Sequence, residues 1–95
     1  ANNKNDIADG TVGYAVDVDF SLEAPEAGVE LPEPLTNQVG GSSVMLKIPV
    51  ATDGSKVVDV YLNGDLIESN QAQGSPLSVT LPNEDAVISF SYHAA

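Results

Sequence analysis

Acid–base and nucleophilic catalysis at neutral pH most often uses a histidine beside a serine or cysteine. This chain of 95 residues has one histidine, His93, and no cysteine. Its serines lie at ordinary strand and turn positions, so no serine, histidine and carboxylate stand out as a triad. The stretch VGGSSV lacks the lysine and the following helix of a phosphate-binding loop. We therefore predict a protein that is not an enzyme, with no catalytic residue and no cofactor.

The many carboxylates raise the question of a calcium site, for which Asp17 and Asp19 are the first candidates. On a strand both side chains point to one side, about 6–7 Å apart, because the rise is ~3.3 Å per residue. An EF-hand instead needs a loop with glycine at its sixth position, and the other acidic clusters are explained as turns. One histidine without cysteine offers no ligand set for a transition metal. We predict no metal site, and a calcium-dependent extracellular binding module remains a further alternative.

These two aspartates belong to a long alternating stretch, YAVDVDFSLE, at residues 14–23. Every second residue is apolar, and the residues between are small or acidic. A period of two sustained this long predicts a strand, here over residues 11–23, because a helix would scatter the apolar residues around its axis. The predicted apolar face consists of Val12, Tyr14, Val16, Val18, Phe20 and Leu22.

Short strands with turn residues between them follow. Asn63-Gly64 predicts a type I′ hairpin turn, because both residues tolerate a positive φ. A two-residue turn there would place Asp59 opposite Glu68, a mildly destabilising like-charge pair. Six or seven strands without a helix predict an all-β fold, a single small antiparallel β-sandwich of Ig-like type, with a jelly roll or small barrel as alternatives. The further strands are predicted at 43–51, 56–62, 65–69, 77–81 and 86–94.

The domain organisation is predicted as a flexible polar leader at residues 1–10 and a β-sandwich domain at residues 11–95. Within the domain, residues 24–41 contain three prolines, which prevent a continuous helix and disfavour a central strand. We predict a Pro/Glu-rich loop or arm there, with extended polyproline-like geometry. It is either an ordinary surface crossover or an arm that lies across a partner.

Charge narrows the choice of partner. Fourteen Asp and Glu against three lysines give a net charge of −11, which repels nucleic acid and anionic lipid, so neither nucleic acid nor a membrane is expected as a partner. No apolar run approaches the ~20 residues that span a bilayer. The acidity fits solubility or binding to a basic protein surface. The polar start does not resemble a signal peptide, which leaves both a cytoplasmic product and a mature exported chain open.

Two stretches, AVISFSYHAA and TVGYAVDVDFSLE, are similar to the closing strand and the N-terminal donor strand of chaperone–usher pilins. The chain as a whole is acidic and cysteine-free, with polar tails and arms, and it resembles the small Ig-like decoration and cement proteins of tailed bacteriophages. That resemblance implies a structural protein at symmetry-related points of a capsid, and hence on the virion surface. The alternative is a pilin or adhesin subunit that assembles by strand exchange, at an extracellular or cell-surface location.

The function we expect is therefore assembly. The chain would decorate or stabilise a larger protein assembly, with a bacteriophage capsid as first choice, as a homo-oligomer or symmetric array. The expected contacts are an unpaired ladder on the first strand and stiff apolar positions in the loop. These residues are Thr11, Val12, Gly13, Val29, Leu31, Pro32, Pro34 and Leu35.

Overall fold

Seven strands in two sheets make up the computed structural model, which describes residues 14–95. They confirm the all-β prediction, and this part of the chain contains no helix long and apolar enough to cross a membrane. A five-stranded sheet, here the large sheet, has the order β2-β1-β7-β4-β5, and β3 pairs with β6 in the small sheet. The strands are β1 (Ala15–Leu22), β2 (Leu35–Val39), β3 (Ser43–Lys47), β4 (Lys56–Leu62), β5 (Asp65–Gln71), β6 (Pro76–Thr80) and β7 (Ala86–Ala94).

The core is formed by the inward faces of the strands. Alternate residues of β1, β4 and β7 are fully buried, and from the small sheet Leu77 and Val79 pack into the same cluster. Burying one such side chain contributes roughly 1.5–3 kcal/mol. Because neighbouring side chains in a strand point to opposite faces, the same pattern turns the intervening residues of the large sheet outward. The buried residues of the large sheet include Val16, Val18, Val58, Val60, Ile88 and Phe90.

The pairing of β1 with β7 is parallel, in register from Val18 opposite Ala86 to Leu22 opposite Phe90. The other strand pairs are antiparallel, so the large sheet is mixed and the prediction of a purely antiparallel sandwich was wrong in this respect. The reason is topological. Only a short hairpin forces two strands to run antiparallel, and β1 and β7 are separated by five other strands.

The segment predicted as a Pro/Glu-rich loop, residues 24–41, contains a strand. All of its prolines precede Leu35, and from that residue β2 pairs with β1, with Val18 opposite Leu35. The segment between β1 and β2, residues 23–34, is called the crossover segment below. It is fixed to the body of the protein where Lys56 Nζ lies 3.0 Å from both carboxylate oxygens of Glu26, a side chain that is only 11% exposed. The backbone N–H of Thr52 also donates to the carbonyl of Ala27.

Tyr92 of β7 also makes a contact with the connection that contains Thr52. Its hydroxyl donates to the carbonyl oxygen of Pro49, in the connection between β3 and β4. Burial raises the pKa of Tyr92 to about 12, and the nearby charge of Glu26 adds to the effect. Tyr92 therefore links β7 to the connection that follows β3.

The β4–β5 hairpin has the predicted turn, with φ of 49° at Asn63 and 88° at Gly64. Its register agrees with the prediction only next to the turn. Further along, an extra residue in β5 brings Glu68 opposite Val60, which removes the predicted opposition of Glu68 and Asp59. A β-bulge of this kind inserts one unpaired residue into one strand and shifts everything beyond it.

Gly28 of the crossover segment leaves no room for a side chain beside Thr52. Its φ is +83°, and a Cβ there would clash with the side chain of Thr52 and lie 2.8 Å from the Thr52 backbone nitrogen. We expect Gly28→Ala to lower the free energy of unfolding by about 1–2 kcal/mol for the left-handed backbone and about 1–3 kcal/mol more for the steric conflict. Urea denaturation measures the loss.

Gly64 supplies the matched control, since its φ is +88° and nothing lies within 4 Å of an added Cβ. Gly64→Ala should show the backbone cost alone. Equal losses for the two variants would mean that the crossover segment is not held against Thr52.

Candidate functional site

An apolar patch lies on the outer face of the large sheet. Tyr61 of β4 stands opposite Leu66 of β5 on one side and Ser89 of β7 on the other. Val87 is two residues from Ser89 and shares its face. Leu66 is 55% exposed and Val87 40% exposed. Tyr61, Leu66 and Val87 are called the outer patch below.

Beside the outer patch lies a rigid pair of hydroxyl groups. Ser89 is the one buried polar side chain of residues 14–95, and its Oγ lies 2.8 Å from the Oγ of Ser21 on β1. This hydrogen bond joins the two parallel strands on their outer side. The hydroxyl pair therefore ties β1 to β7 beside the outer patch.

Two carboxylates border the outer patch. Asp19 stands opposite Val87 on β1, and Asp59 is two residues from Tyr61 on the same face. Neither lysine of the described residues is close, since Lys47 lies in the small sheet and Lys56 binds Glu26. An apolar centre with an acidic rim is the result.

Asp59 and His93 form an ion pair at this rim, with Asp59 Oδ1 3.1 Å from His93 Nε2. Asp59 Oδ1 also accepts the backbone N–H of Asn70 at 2.9 Å, and that hydrogen bond, helped by His93, lowers the pKa of Asp59. His93 Nδ1 lies 2.9 Å from the carbonyl oxygen of Ala94. With an acceptor at each ring nitrogen, the pKa of His93 is raised, chiefly by Asp59.

The two edge strands of the large sheet are both interrupted in the same way. In β2, Asn37 has a φ of 56° and its N–H donates to Asp17 Oδ1 of β1. In β5, Asn70 has a φ of 54° and its N–H donates to Asp59 of β4. The register shifts beside each of them. Such bulges make an edge a poor template for another strand.

The small sheet differs from the large one. Its five residue pairs follow each other without a shift in register. Its outer face carries no carboxylate, and Met45 at its centre is 71% exposed. The residues of this face are Ser43, Met45, Lys47, Pro76, Ser78 and Thr80.

The residues predicted as partner contacts are dispersed. Thr11, Val12 and Gly13 lie outside the described residues. In the crossover segment Leu31 and Pro34 are exposed, whereas Val29 and Pro32 are half-buried. Leu35, at the start of β2, packs against the core.

The outer patch was missed from the sequence. Two of its residues were predictable from the hairpin, because the register set by Asn63-Gly64 already places Tyr61 opposite Leu66. Val87 could not be added without knowing that β7 lies beside β4.

Residues 14–95 contain no cluster of three or more His, Asp or Glu side chains placed to hold a metal ion, and no pocket is found among them. Comparison with protein-family models, with curated proteins and with solved structures finds no match to this chain. Function is therefore inferred from the geometry of the surfaces described above.

The Asp59–His93 ion pair has a defined pH range. The pKa of His93 is raised in the folded chain. The pair therefore stabilises the folded state fully below the ordinary histidine pKa, and this stabilisation is lost as pH rises through the raised pKa. On the acid side, the stabilisation is lost as pH falls through the lowered pKa of Asp59. We expect Asp59→Asn to return the His93 pKa toward its ordinary value in an NMR titration. Asp19→Asn, on β1, should leave it unchanged, and equal effects would contradict the pairing.

Proposed function

We propose that this chain is a non-enzymatic structural module that docks on a larger protein assembly through the outer patch, and that the assembly is a capsid, on whose surface the module lies. The observation that carries the proposal is the outer patch itself. Exposed apolar side chains grouped on one face, with polar residues around them, mark protein contact sites more often than scattered ones do. Leu66 and Val87 meet this description, with Tyr61 between them.

The charge around the outer patch indicates what kind of partner surface fits. Asp19 and Asp59 border it, and the whole chain carries −11. A partner with an apolar centre and a rim of lysine and arginine would be attracted from a distance and would then bury Leu66 and Val87. Repeated subunits would offer this surface at symmetry-related points, each taking one copy of the module.

We also propose that the two sheets are an Ig-like sandwich. Along the chain, β3 and β6 belong to the small sheet, and β4, β5 and β7 to the large sheet. This alternation follows the order in which immunoglobulin strands change between sheets. The parallel strand β1 beside β7 is the departure from a purely antiparallel pattern.

Binding to assembled particles from the natural source of the chain tests the proposal, with co-sedimentation as the measurement. The full chain should bind saturably, and high salt should weaken binding because the rim is charged. Leu66→Asp should weaken it at least about tenfold, because a carboxylate would be buried without a partner.

Val50→Asp is the control for this experiment. It makes the same charge change at a residue that is 59% exposed and lies in the connection between β3 and β4. It should bind like the unmodified chain. Absence of binding to particles, or equal weakening by both variants, would overturn the proposal.

A second candidate is a pilin-like subunit that assembles by strand exchange. The observation that favours it is the position of β1, which lies beside the last strand in parallel register and is joined to the rest of the sandwich by the crossover segment. In a strand-exchanged polymer, β1 of one copy would lie on β7 of the next.

Cysteines at Ser21 and Ser89 distinguish the two candidates, since these hydroxyl groups are 2.8 Å apart and the chain has no cysteine. We expect the oxidised double variant to run as a monomer in non-reducing electrophoresis, because β1 pairs within its own chain. A ladder of disulfide-linked species would favour strand exchange instead. A Ser21→Cys single variant shows the background of random cross-linking.

A further inference from the structure

The small sheet has a strand edge without a backbone partner. Ile48 N–H donates to the carbonyl of Ser75, and Leu81 N–H donates to the carbonyl of Ser42. In an antiparallel strand the backbone N–H and C=O groups of successive residues point to alternate sides. Ser42 and Ile48 bond toward β6, so the backbone groups of Val44 and Leu46, which lie at even-numbered positions between them, also point toward β6. The groups of Ser43, Met45 and Lys47 then face away, and no backbone hydrogen bond within residues 14–95 reaches them. This side is called the β3 free edge.

The other exposed edges are less suitable for pairing. Those of the large sheet carry the bulges at Asn37 and Asn70. The outer edge of β6 begins with Pro76, which has no N–H to donate. Only the β3 free edge combines regular register, a full set of donors and the absence of a carboxylate.

The inward side chains of β3 also remain partly uncovered. Val44 and Leu46 are half-buried, whereas the residues opposite them on β6, Val79 and Leu77, are 2% and 4% exposed. Both strands are edges of a two-stranded sheet, yet the rest of the fold covers the inward side chains of β6 more completely than those of β3. A further strand beside β3 would cover Val44 and Leu46.

We propose that the occupant of the β3 free edge is a second copy of this chain, with the two β3 strands antiparallel about a two-fold axis at Met45. This register places Met45 opposite Met45 of the second copy, Val44 opposite Leu46 and Ser43 opposite Lys47. Apolar residues meet apolar residues, and no two like charges are opposed. The product is a continuous four-stranded sheet with the order β6-β3-β3-β6.

Self-complementarity of the β3 sequence is the reason for choosing a second copy over an unrelated partner. A two-fold interface must match a surface to itself, and the segment SVMLK does so without a carboxylate in a chain of net charge −11. The outer patch belongs to the other sheet and stays available in the dimer. The proposal is therefore independent of the proposed docking function, and it would give the assembly two docking faces per dimer.

Sedimentation velocity of the full chain over a range of concentrations measures the association. We expect a monomer–dimer equilibrium that strengthens as salt is raised to about 0.5 M, because salt screens the repulsion between two acidic bodies. A chain that stays monomeric at millimolar concentration and high salt would overturn the proposal. Open-ended oligomers would overturn it too, since they indicate head-to-tail pairing of β3 with β6.

Two charge variants locate the contact. Met45→Lys places two lysines directly opposite each other in the dimer and should raise the dissociation constant at least about tenfold. Ser78→Lys makes the same charge change on β6, opposite Met45 within one chain, and should weaken the dimer far less. Equal effects would overturn the assignment to the β3 free edge. Both side chains are exposed, and circular dichroism checks that both variants fold.

Cross-linking tests the two-fold register. Under oxidation Met45→Cys should yield a covalent dimer, because position 45 meets itself. Ser78→Cys is the control and should remain monomeric. Rapid cross-linking of Ser78→Cys, or none of Met45→Cys, would overturn the proposed register.

Discussion

Burial of one apolar face per strand is the constraint on which the rest of this structure depends. The chain has no cysteine, so packing and hydrogen bonds hold the sheets together. The fully buried residues of β1, β4 and β7 lie at every second position. Because neighbouring side chains of a strand point to opposite faces, the residues between these core positions form the outer face of the large sheet. The outer patch exists because three of those outward positions, Tyr61, Leu66 and Val87, are apolar.

The acidity of the chain has local structural uses. Asp17 and Asp59 each accept a backbone N–H from a left-handed asparagine in the adjacent edge strand. Glu26 holds the crossover segment through Lys56. Carboxylates therefore shape both edges of the large sheet. The small sheet lacks them on its outer face, and the two sheets differ accordingly in how their edges can meet other strands.

The features that were predictable from the sequence are those set by neighbouring residues. β4, β7 and the turn at Asn63-Gly64 follow from alternation and turn chemistry. Pairings between distant strands did not follow, because no residue of β1 specifies that it should run parallel to β7. The bulges beside Asn37 and Asn70 escaped prediction for the same reason, as each depends on an aspartate of a neighbouring strand.

The candidate site likewise contains one contact between neighbouring residues of a hairpin and one between distant strands. Tyr61 and Leu66 belong to one hairpin, and their proximity was implicit in its register. Val87 arrives from a strand 20 or more residues away, and only the assembled sheet brings it there. The crossover segment was predicted as either an ordinary surface crossover or an arm across a partner, and its first half is bound to Thr52 and Lys56 of its own chain. Composition alone does not distinguish a segment that reaches a partner from one that is bound to its own chain.

The parallel ladder between β1 and β7 has a consequence for biosynthesis. β1 leaves the ribosome early, but the strand that completes its pairing is the last of the seven to be made. Until then the apolar side of β1 has no closed sandwich to enter, and contacts between such distant segments form slowly. The parallel ladder is therefore the last part of the large sheet that synthesis of the described strands allows to close.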